Sequence, residues 1–164
     1  MTIPSTNFET QSAEELIQWT MDQYGLKAGL ACSFGMEDMI LIDIISKLKG
    51  PITIFTLDTG RLHEETYEIM ERVRSHYGLE IKTYFPNHEQ VEKLVREKGF
   101  FSFKESIENR KECCAIRKIE PLNRALSELD AWVTGLRRDQ AVTRTETAKV
   151  SEDMDHPPLV KINP

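Results

Sequence analysis

Short apolar segments alternate with amphipathic segments along this chain, and this alternation constrains the fold more than any other feature. Four segments have the composition of strands, and they are residues 28–32, 52–57, 80–85, which alternate as in a half-buried strand, and 131–134. Between them, apolar residues at helical spacing predict helices at residues 39–48, 63–77 and 88–98. A capping box, Ser12 with Glu15, begins an earlier helix. Strands that alternate with helices predict an α/β fold, in which a parallel twisted sheet is flanked by helices.

Three parts of the chain fit this alternation less simply. Phe100, Phe101 and Phe103 form an aromatic run that we expect to be used in packing. Pro121 disfavours helical geometry at the residue before it, so we expect one helix to end just before this proline and another to begin at it. The residues from 151 onward are polar and rich in proline, and we assign them no strand or helix.

Composition limits the classes of protein that this chain can belong to. Its 164 residues are 40% hydrophobic and 29% charged, values that fit one globular domain over residues 1–164. The net charge of −6 argues against a general partner such as nucleic acid or an acidic membrane. Three cysteines, two of them adjacent, do not make an extracellular disulfide framework, so we expect a reducing cytoplasm. Neither a secretory signal nor a membrane span of roughly 20 apolar residues is present in the sequence.

The first of three unusual loops follows the first predicted strand. The carboxyl ends of parallel strands meet at one edge of a sheet, where α/β proteins bind their ligands. Ser33 offers a hydroxyl there, Phe34 follows it, and Gly35 lets the backbone approach a ligand closely. Backbone N–H groups before a helix form a cradle for an anion. The alternative is an ordinary turn between a strand and a helix.

The other two loops follow the second and fourth predicted strands. Asp58 can contact a ribose or an amino group, and Arg61 can contact a phosphate, although this loop also reads as a simple turn. Arg137, Arg138 and Arg144 can clamp a phosphate or a sulfate, because guanidinium groups bind such anions with paired hydrogen bonds. The alternative for these arginines is a solvated charged surface.

Two adjacent cysteines, Cys113 and Cys114, form the fourth unusual feature. Neighbouring cysteines are poor disulfide partners. On a helix their side chains diverge by about 100°, so both can reach one inorganic cluster. Arg117 and Lys118 follow one helical turn later, where positive charge lowers the pKa of a thiol and offsets a negative cluster. The alternative is a pair of small apolar residues in a helix.

Taken together, in this order and spacing, these stretches resemble the sulfonucleotide reductase family, a branch of the adenine nucleotide α-hydrolase-like (PP-loop-like) fold. The likeness covers roughly residues 28–145. The matching stretches are Ser-Phe-Gly at 33–35 with Glu37 and Asp38, Leu-Asp-Thr-Gly-Arg-Leu at 57–62 with Glu-Thr-Tyr at 65–67, Glu-Cys-Cys at 112–114 with Arg117, Lys118, Pro121 and Leu122, and residues 132–135 with Arg137, Arg138, Asp139 and Gln140.

The resemblance implies a specific chemistry. Family members with the double cysteine resemble adenylyl-sulfate (APS) reductases that carry a 4Fe-4S cluster, whereas members that reduce the 3′-phosphorylated nucleotide (PAPS) typically lack it. The resemblance makes Cys113 and Cys114 cluster ligands, and it places the phosphosulfate of the substrate on the first loop and the arginines. In the family, the thiolate of a C-terminal cysteine attacks the sulfate sulfur and expels AMP. Thioredoxin or glutaredoxin then releases sulfite from the enzyme-bound thiosulfonate.

The sequence departs from the family pattern after Cys114, where no further cysteine occurs. A later Cys-x-x-Cys and a terminal Glu-Cys-Gly-Leu-His, which in the family supply two cluster ligands and the nucleophile, are both missing. A 4Fe-4S cluster usually takes four thiolates. Cys32 is expected to be a packed strand residue rather than a third ligand. We therefore expect the N-terminal part of a longer reductase, which binds a nucleotide but does not reduce it, although a complete short protein is the alternative.

Four other functions stay open at this point. The chain can be a PAPS reductase, or a nucleotide-binding module without redox chemistry. It can also form a homo-oligomer in which two subunits contribute Cys113 and Cys114 to one shared cluster. The last alternative is an ATP pyrophosphatase of the same broad fold. Those enzymes generally carry a Ser-Gly-Gly-x-Asp-Ser loop, whereas residues 33–38 here read Ser-Phe-Gly-Met-Glu-Asp.

Overall fold

The protein forms one six-stranded sheet in a computed structural model that describes residues 3, 7–138 and 147–164. The strands are β1 Ala28–Ala31, β2 Thr53–Leu57, β3 Ile81–Tyr84, β4 Ala131–Thr134, β5 Val150–Glu152 and β6 Val160–Ile162. The α-helices are α1 Ala13–Tyr24, α2 Met36–Leu48, α3 Glu64–Tyr77, α4 His88–Lys98, α5 Ile107–Cys114 and α6 Glu120–Leu126. A π-helical segment, Ala115–Ile119, joins α5 to α6. Short 3₁₀ turns lie at Phe8–Thr10, Gly25–Lys27 and Ser102–Lys104.

The strand order is β3-β2-β1-β4-β6-β5, and every neighbouring pair is parallel except β5 with β6. The predicted α/β fold with a parallel sheet flanked by helices is therefore confirmed, with one antiparallel strand added at the edge. The chain runs outward from β1 to β2 and β3, then returns to place β4 on the other side of β1. A crevice opens at such a reversal, beyond the carboxyl ends of the two strands.

The predicted capping box begins the first helix. The backbone N–H of Ser12 donates to Glu15 Oε2 at 2.8 Å, and the N–H of Glu15 donates to Ser12 Oγ at 3.2 Å. The apolar face of α1 is fully covered at Leu16 and Ile17, and it packs in the larger core cluster with β1 and with Ile42 of α2. A smaller core cluster is built around Phe55, Trp132 and residues of α6. Within the described residues, no helix has the length and apolar composition needed to cross a membrane.

The segment after residue 150 contains two strands that the sequence did not predict. In β6, Val160 and Ile162 are buried at alternate positions, with Lys161 between them. The strand pairs with β4 in parallel and with β5 in antiparallel fashion. A strand of three residues shows only one alternation of apolar and polar side chains, and the prolines before it resemble a loop. Assigning no strand to the residues from 151 onward was therefore wrong.

The predicted break at Pro121 is also absent. The backbone N–H of Glu120 donates to the carbonyl of Ala115, five residues back, which is the hydrogen bond of a π turn. Pro121 then lies in the first turn of α6, where its missing N–H removes no necessary helical bond. The chain therefore stays helical from the double cysteine to Leu126. The preference of Glu120 for extended geometry is outweighed by the packing of the helix on either side of it.

Candidate active site

A cavity of about 500 Å³ lies beyond the carboxyl ends of β1, β2 and β4. This is the reversal point of the sheet, and residues of the first two predicted loops line it. The residues that line it include Ser33, Thr59 and Trp132, together with two lysines, Lys118 and Lys161. A larger groove of about 1230 Å³ lies between α2 and α3 and includes Phe34 of the first loop. Residues that follow β1, β2 and β4 all line the smaller cavity, so the smaller cavity is the candidate active site.

The first loop also holds a strained residue, Phe34, which lines the larger groove rather than the cavity. Phe34 has a φ of 62°, a left-handed conformation that is unusual for a bulky side chain, and it is buried. Gly35 caps α2, which begins at Met36 rather than at residue 39 as predicted. Backbone strain of this kind persists only where the surroundings impose it, and it concentrates at functional sites.

The donors of this loop already have a partner within the protein. The backbone N–H and the hydroxyl of Ser33 both donate to Asp38 Oδ2, at 2.6 and 2.8 Å. Asp38 is buried, and a Cβ atom on Gly135 would lie only 2.4 Å from Asp38 Oδ1. An incoming anion must therefore compete with a carboxylate for the hydroxyl of Ser33. Sequence reasoning did not single out Asp38 as the partner of Ser33, although an acid in the first turn of a helix is a common partner for N-terminal donors.

The second loop is organised around Asp58. Its buried carboxylate accepts a hydrogen bond from the N–H of Gly60 at 2.7 Å and from the hydroxyl of Tyr67 at 2.9 Å. Partial desolvation of the phenol and its hydrogen bond to Asp58 raise the pKa of Tyr67. The side chain of Asp58 is thus used within the loop, and its neighbour Thr59 is the residue that lines the cavity.

Arg61 points away from the cavity. Its guanidinium donates to the carbonyl of Phe100 and lies 4.7 Å from the ring centroid of Phe103. Phe100 and Phe101 are 65% and 62% exposed, so the expectation that the aromatic run packs in the core is wrong for these two residues. Cations lie over the rings instead, since Lys104 Nζ is 5.0 Å from the centroid of Phe101.

The arginines after β4 are not brought together in the described residues. Arg137 Nε lies 3.0 Å from Glu37 Oε1, and Glu37 lines the cavity. Arg138 pairs with Glu9 and donates to the carbonyl of Thr147 at 2.8 Å, so it is held toward the N-terminus of the chain. Arg144, the third predicted clamp residue, lies outside the described residues.

Two lysines supply positive charge to the cavity directly. Lys118 lies on the π-helical segment, one helical turn after the double cysteine, and Lys161 lies on β6. The ammonium of Lys161 is 4.8 Å from the ring centroid of Trp132, close enough for a cation–π contact. Sequence reasoning missed Lys161 because its strand was not predicted. The alternation of Val160, Lys161 and Ile162 is the only signal that could have found it.

The double cysteine forms the end of α5. Cys113 is half-buried and Cys114 is exposed, and all three cysteines are free thiols. Burial raises the pKa of Cys32 to about 12, which fits a packed thiol and not a metal ligand. Among residues 3, 7–138 and 147–164, no group of three or more His, Cys, Asp or Glu side chains could hold a metal ion. Cys113 and Cys114 fit two positions of a four-thiolate cluster, and the chain does not complete it alone.

The fold matches that of a solved sulfonucleotide reductase. The structure superimposes on the phosphoadenylyl-sulfate (PAPS) reductase from Candida auris, determined as a phosphate complex, with a TM-score of 0.81 over 99% of this chain and 80% of that chain. The two sequences are 22% identical, so this likeness establishes the fold alone.

Sequence comparison identifies the family. The phosphoadenosine phosphosulfate reductase domain matches residues 27–164, and the chain belongs to this family. The predicted membership of the sulfonucleotide reductases is confirmed. Adenosine 5′-phosphosulfate reductase from Burkholderia cepacia is 48% identical over 138 residues, which cover 84% of this chain and 55% of that protein. The enzyme of the same name from Pseudomonas aeruginosa (strain LESB58) is 40% identical over 165 residues, which cover 98% of this chain and 61% of that protein. The chain thus spans little more than half the length of these relatives.

Proposed function

We propose that this chain is the nucleotide-binding part of an adenylyl-sulfate reductase of sulfate assimilation, which reduces APS to sulfite and AMP with thioredoxin or glutaredoxin. One observation carries the proposal. A single helical stretch bears the double cysteine at residues 113–114 and, one turn later, Lys118 in the wall of the cavity. Support also comes from relatives named APS reductase that are 40% and 48% identical to this chain.

In this proposal the cavity holds the nucleotide. Trp132 and Leu122 offer apolar surface for a base, while Lys118 and Lys161 face the anionic groups. Ser33, Phe34 and Gly35 form the edge of the site, with Ser33 shared between the ligand and Asp38. Arg137, Arg138 and Arg144 remain proposed contacts at the outer end of the substrate. Asp58 contributes through the shape of its loop, and Arg61 contacts the substrate only if it leaves the ring of Phe103.

The lysines also suit the proposed reaction. A thiolate from outside these 164 residues attacks the sulfur of APS, a sulfur–sulfur bond forms, and the sulfur–oxygen bond to AMP breaks. The electron pair of the broken bond leaves with the AMP phosphate, where charge develops. Fixed cations at that phosphate stabilise the transition state. Two thiols of thioredoxin then reduce the enzyme thiosulfonate and release sulfite.

Cys113 and Cys114 are proposed as two of the four ligands of a 4Fe-4S cluster. The chain holds three cysteines and Cys32 is buried elsewhere, so the other two thiolates come from outside it. A cluster at this place would add negative charge beside Arg117 and Lys118. A reducing cytoplasm is the proposed setting, since such a site needs free thiols.

Calorimetric titration of the purified chain with AMP, APS and PAPS tests the proposal. We expect AMP and APS to bind with one site per chain, PAPS to bind more weakly, and no sulfite to be released in the presence of thioredoxin. Stronger binding of PAPS than of APS would support the PAPS reductase alternative. Absence of binding by any of the three nucleotides would contradict the proposed function.

The shared-cluster alternative has its own readout. After anaerobic reconstitution with iron and sulfide, we expect the 164-residue chain to remain without a full cluster. One cluster per two chains in a dimer would show that a homo-oligomer supplies the missing ligands. Binding of AMP with no iron even in a longer form of the protein would favour a nucleotide-binding module without redox chemistry.

A further inference from the structure

Arg117 is a buried cation without a counter-ion among the described residues. It lies in the π-helical segment between the double cysteine and α6, and its side chain is 8% exposed. Its Nη1 donates to the carbonyl of Thr59 at 2.8 Å. Its Nε is buried and has no hydrogen-bond partner, and no carboxylate in the described part of the chain pairs with the guanidinium.

Burying the Arg117 guanidinium in this way contributes little to the stability of the fold. Removing a guanidinium from water is costly unless its donors are satisfied and an opposite charge is nearby. Among the described residues, Arg117 makes one hydrogen bond and leaves Nε without a partner. An apolar side chain of similar length would fill the same space without this cost, so stability alone does not account for the guanidinium, and its contact with Thr59 points to a role in the site.

The contact instead fixes the wall of the cavity. Thr59 and the left-handed Gly60, with a φ of 69°, follow β2, and a Cβ atom on Gly60 would lie only 3.2 Å from Arg117 Nη1. The guanidinium therefore lies directly against the backbone of this loop. The neighbouring residue on the helix, Lys118, lines the same cavity as Thr59.

We propose that Arg117 is a positioning residue, which sets the distance between the Thr59 wall of the cavity and Lys118, and so ties the double-cysteine helix to the nucleotide site. The inference rests on the proposed function for the identity of the ligand. Two consecutive residues then have different roles, because Lys118 faces the nucleotide and Arg117 holds the opposite loop. The π turn makes this division feasible, because it widens the helix where the two side chains diverge.

Arg117→Met and Arg117→Lys test the inference, with Arg74→Met as the matched control. Arg74 is an exposed arginine of α3 that pairs with Glu71. Calorimetry with AMP should show binding at least about tenfold weaker for Arg117→Met than for Arg74→Met, and a partial recovery in Arg117→Lys, which retains a charged donor. The melting temperature of Arg117→Met should equal or exceed that of the wild type.

Two results would overturn the inference. One is AMP binding by Arg117→Met as tight as that by Arg74→Met. The other is a melting temperature that falls further in both Arg117 variants than in the control, which would make Arg117 a support of the fold.

A second readout separates this inference from the proposed function. If the wild-type chain does not bind AMP, the proposed function fails, but the role of Arg117 in holding the loop can still be measured. Amide hydrogen exchange at Gly60, whose N–H donates to Asp58, should be at least about tenfold faster in Arg117→Met than in Arg74→Met. Unchanged exchange at Gly60 would overturn the inference whatever the nucleotide result.

Discussion

The candidate cavity and the double-cysteine helix meet at Lys118, but the residues of this chain enclose the two regions to very different extents. The cavity has walls from β1, β2, β4 and β6, and its polar side chains have defined partners, such as Asp38 for Ser33. The end of α5 presents two adjacent thiols, of which Cys114 is exposed. We therefore expect nucleotide binding and redox chemistry to be separable in this chain, because its residues enclose the cavity, whereas Cys113 and Cys114 are proposed as only two of four cluster ligands.

The largest expected effect falls on the incomplete site. In a longer form of the protein that carries two further cysteines, Cys113→Ser or Cys114→Ser should abolish iron binding, since a hydroxyl is a poor substitute for a thiolate in such clusters. Iron and sulfide analysis after anaerobic purification measures this. Cys32→Ala is the control and should retain its iron. Unchanged iron content in the Cys113 or Cys114 variant would show that these cysteines do not hold the cluster, and the two regions would then not be distinct sites.

The next largest effect falls on the cavity. Lys118→Ala should weaken AMP binding by roughly ten- to a hundredfold, the effect of losing one hydrogen bond between charged groups. Lys47→Ala is the control, because Lys47 is an exposed lysine that pairs with Asp43 at 2.6 Å on α2. Calorimetry at low ionic strength gives both affinities. Equal affinities for the two variants would show that the nucleotide does not lie beside the double-cysteine helix.

A smaller effect tests how closely the cavity is built. Gly135→Ala places a methyl group 2.4 Å from Asp38 Oδ1, so the loop or the carboxylate must shift. We expect the free energy of unfolding to fall by about 1–3 kcal/mol, as for other overpacked sites, and AMP binding to weaken as well. In the control Gly78→Ala, the new methyl group meets nothing within 4 Å but suffers a φ of 63°. That variant should lose stability and keep its affinity for AMP, and a loss of affinity in both would contradict the assignment.

The smallest effect concerns the strands that the sequence did not predict. Burial opposes ionisation of Asp153, but hydrogen bonds from the Asp155 N–H, His156 and Trp132 outweigh it and lower its pKa below the ordinary 3.8. The stabilisation from a lowered carboxyl pKa is present above pH 3.8 and is lost as the pH falls through the folded value. Urea unfolding between about pH 6 and pH 3 should show a free energy of unfolding that falls less steeply with acid in Asp153→Asn than in the wild type. If the wild type and Asp153→Asn lost the same free energy of unfolding over this pH range, Asp153 would not anchor β5 and β6 through its charge.

The sequence predicted the elements whose signals are local. The capping box of Ser12 and the apolar spacing of α1 need no tertiary information, and β2 is long enough to show its composition. The three-residue strand β6 is recognisable only from its pairing with β4, and the π turn only from its hydrogen bond. These elements depend on contacts between parts of the chain that are distant in sequence.

The residues of the candidate site also differ in how well the sequence predicts their positions. Ser33 and Gly35 were expected at the carboxyl edge of the sheet, and the structure places Ser33 in the cavity wall and Gly35 at the start of α2. The direction of a long side chain could not be predicted, since Arg61 is drawn to exposed aromatic rings and Arg138 to Glu9. Lys161 reaches the cavity only because β6 joins the sheet.

The most direct test of the account counts nucleotide and iron on one sample of the 164-residue chain. After anaerobic reconstitution, the monomer is isolated by gel filtration, titrated with AMP, and analysed for iron and sulfide. We expect one AMP per chain and no complete 4Fe-4S cluster in the monomer. A monomer that holds a full cluster, or one that binds no AMP, would contradict it.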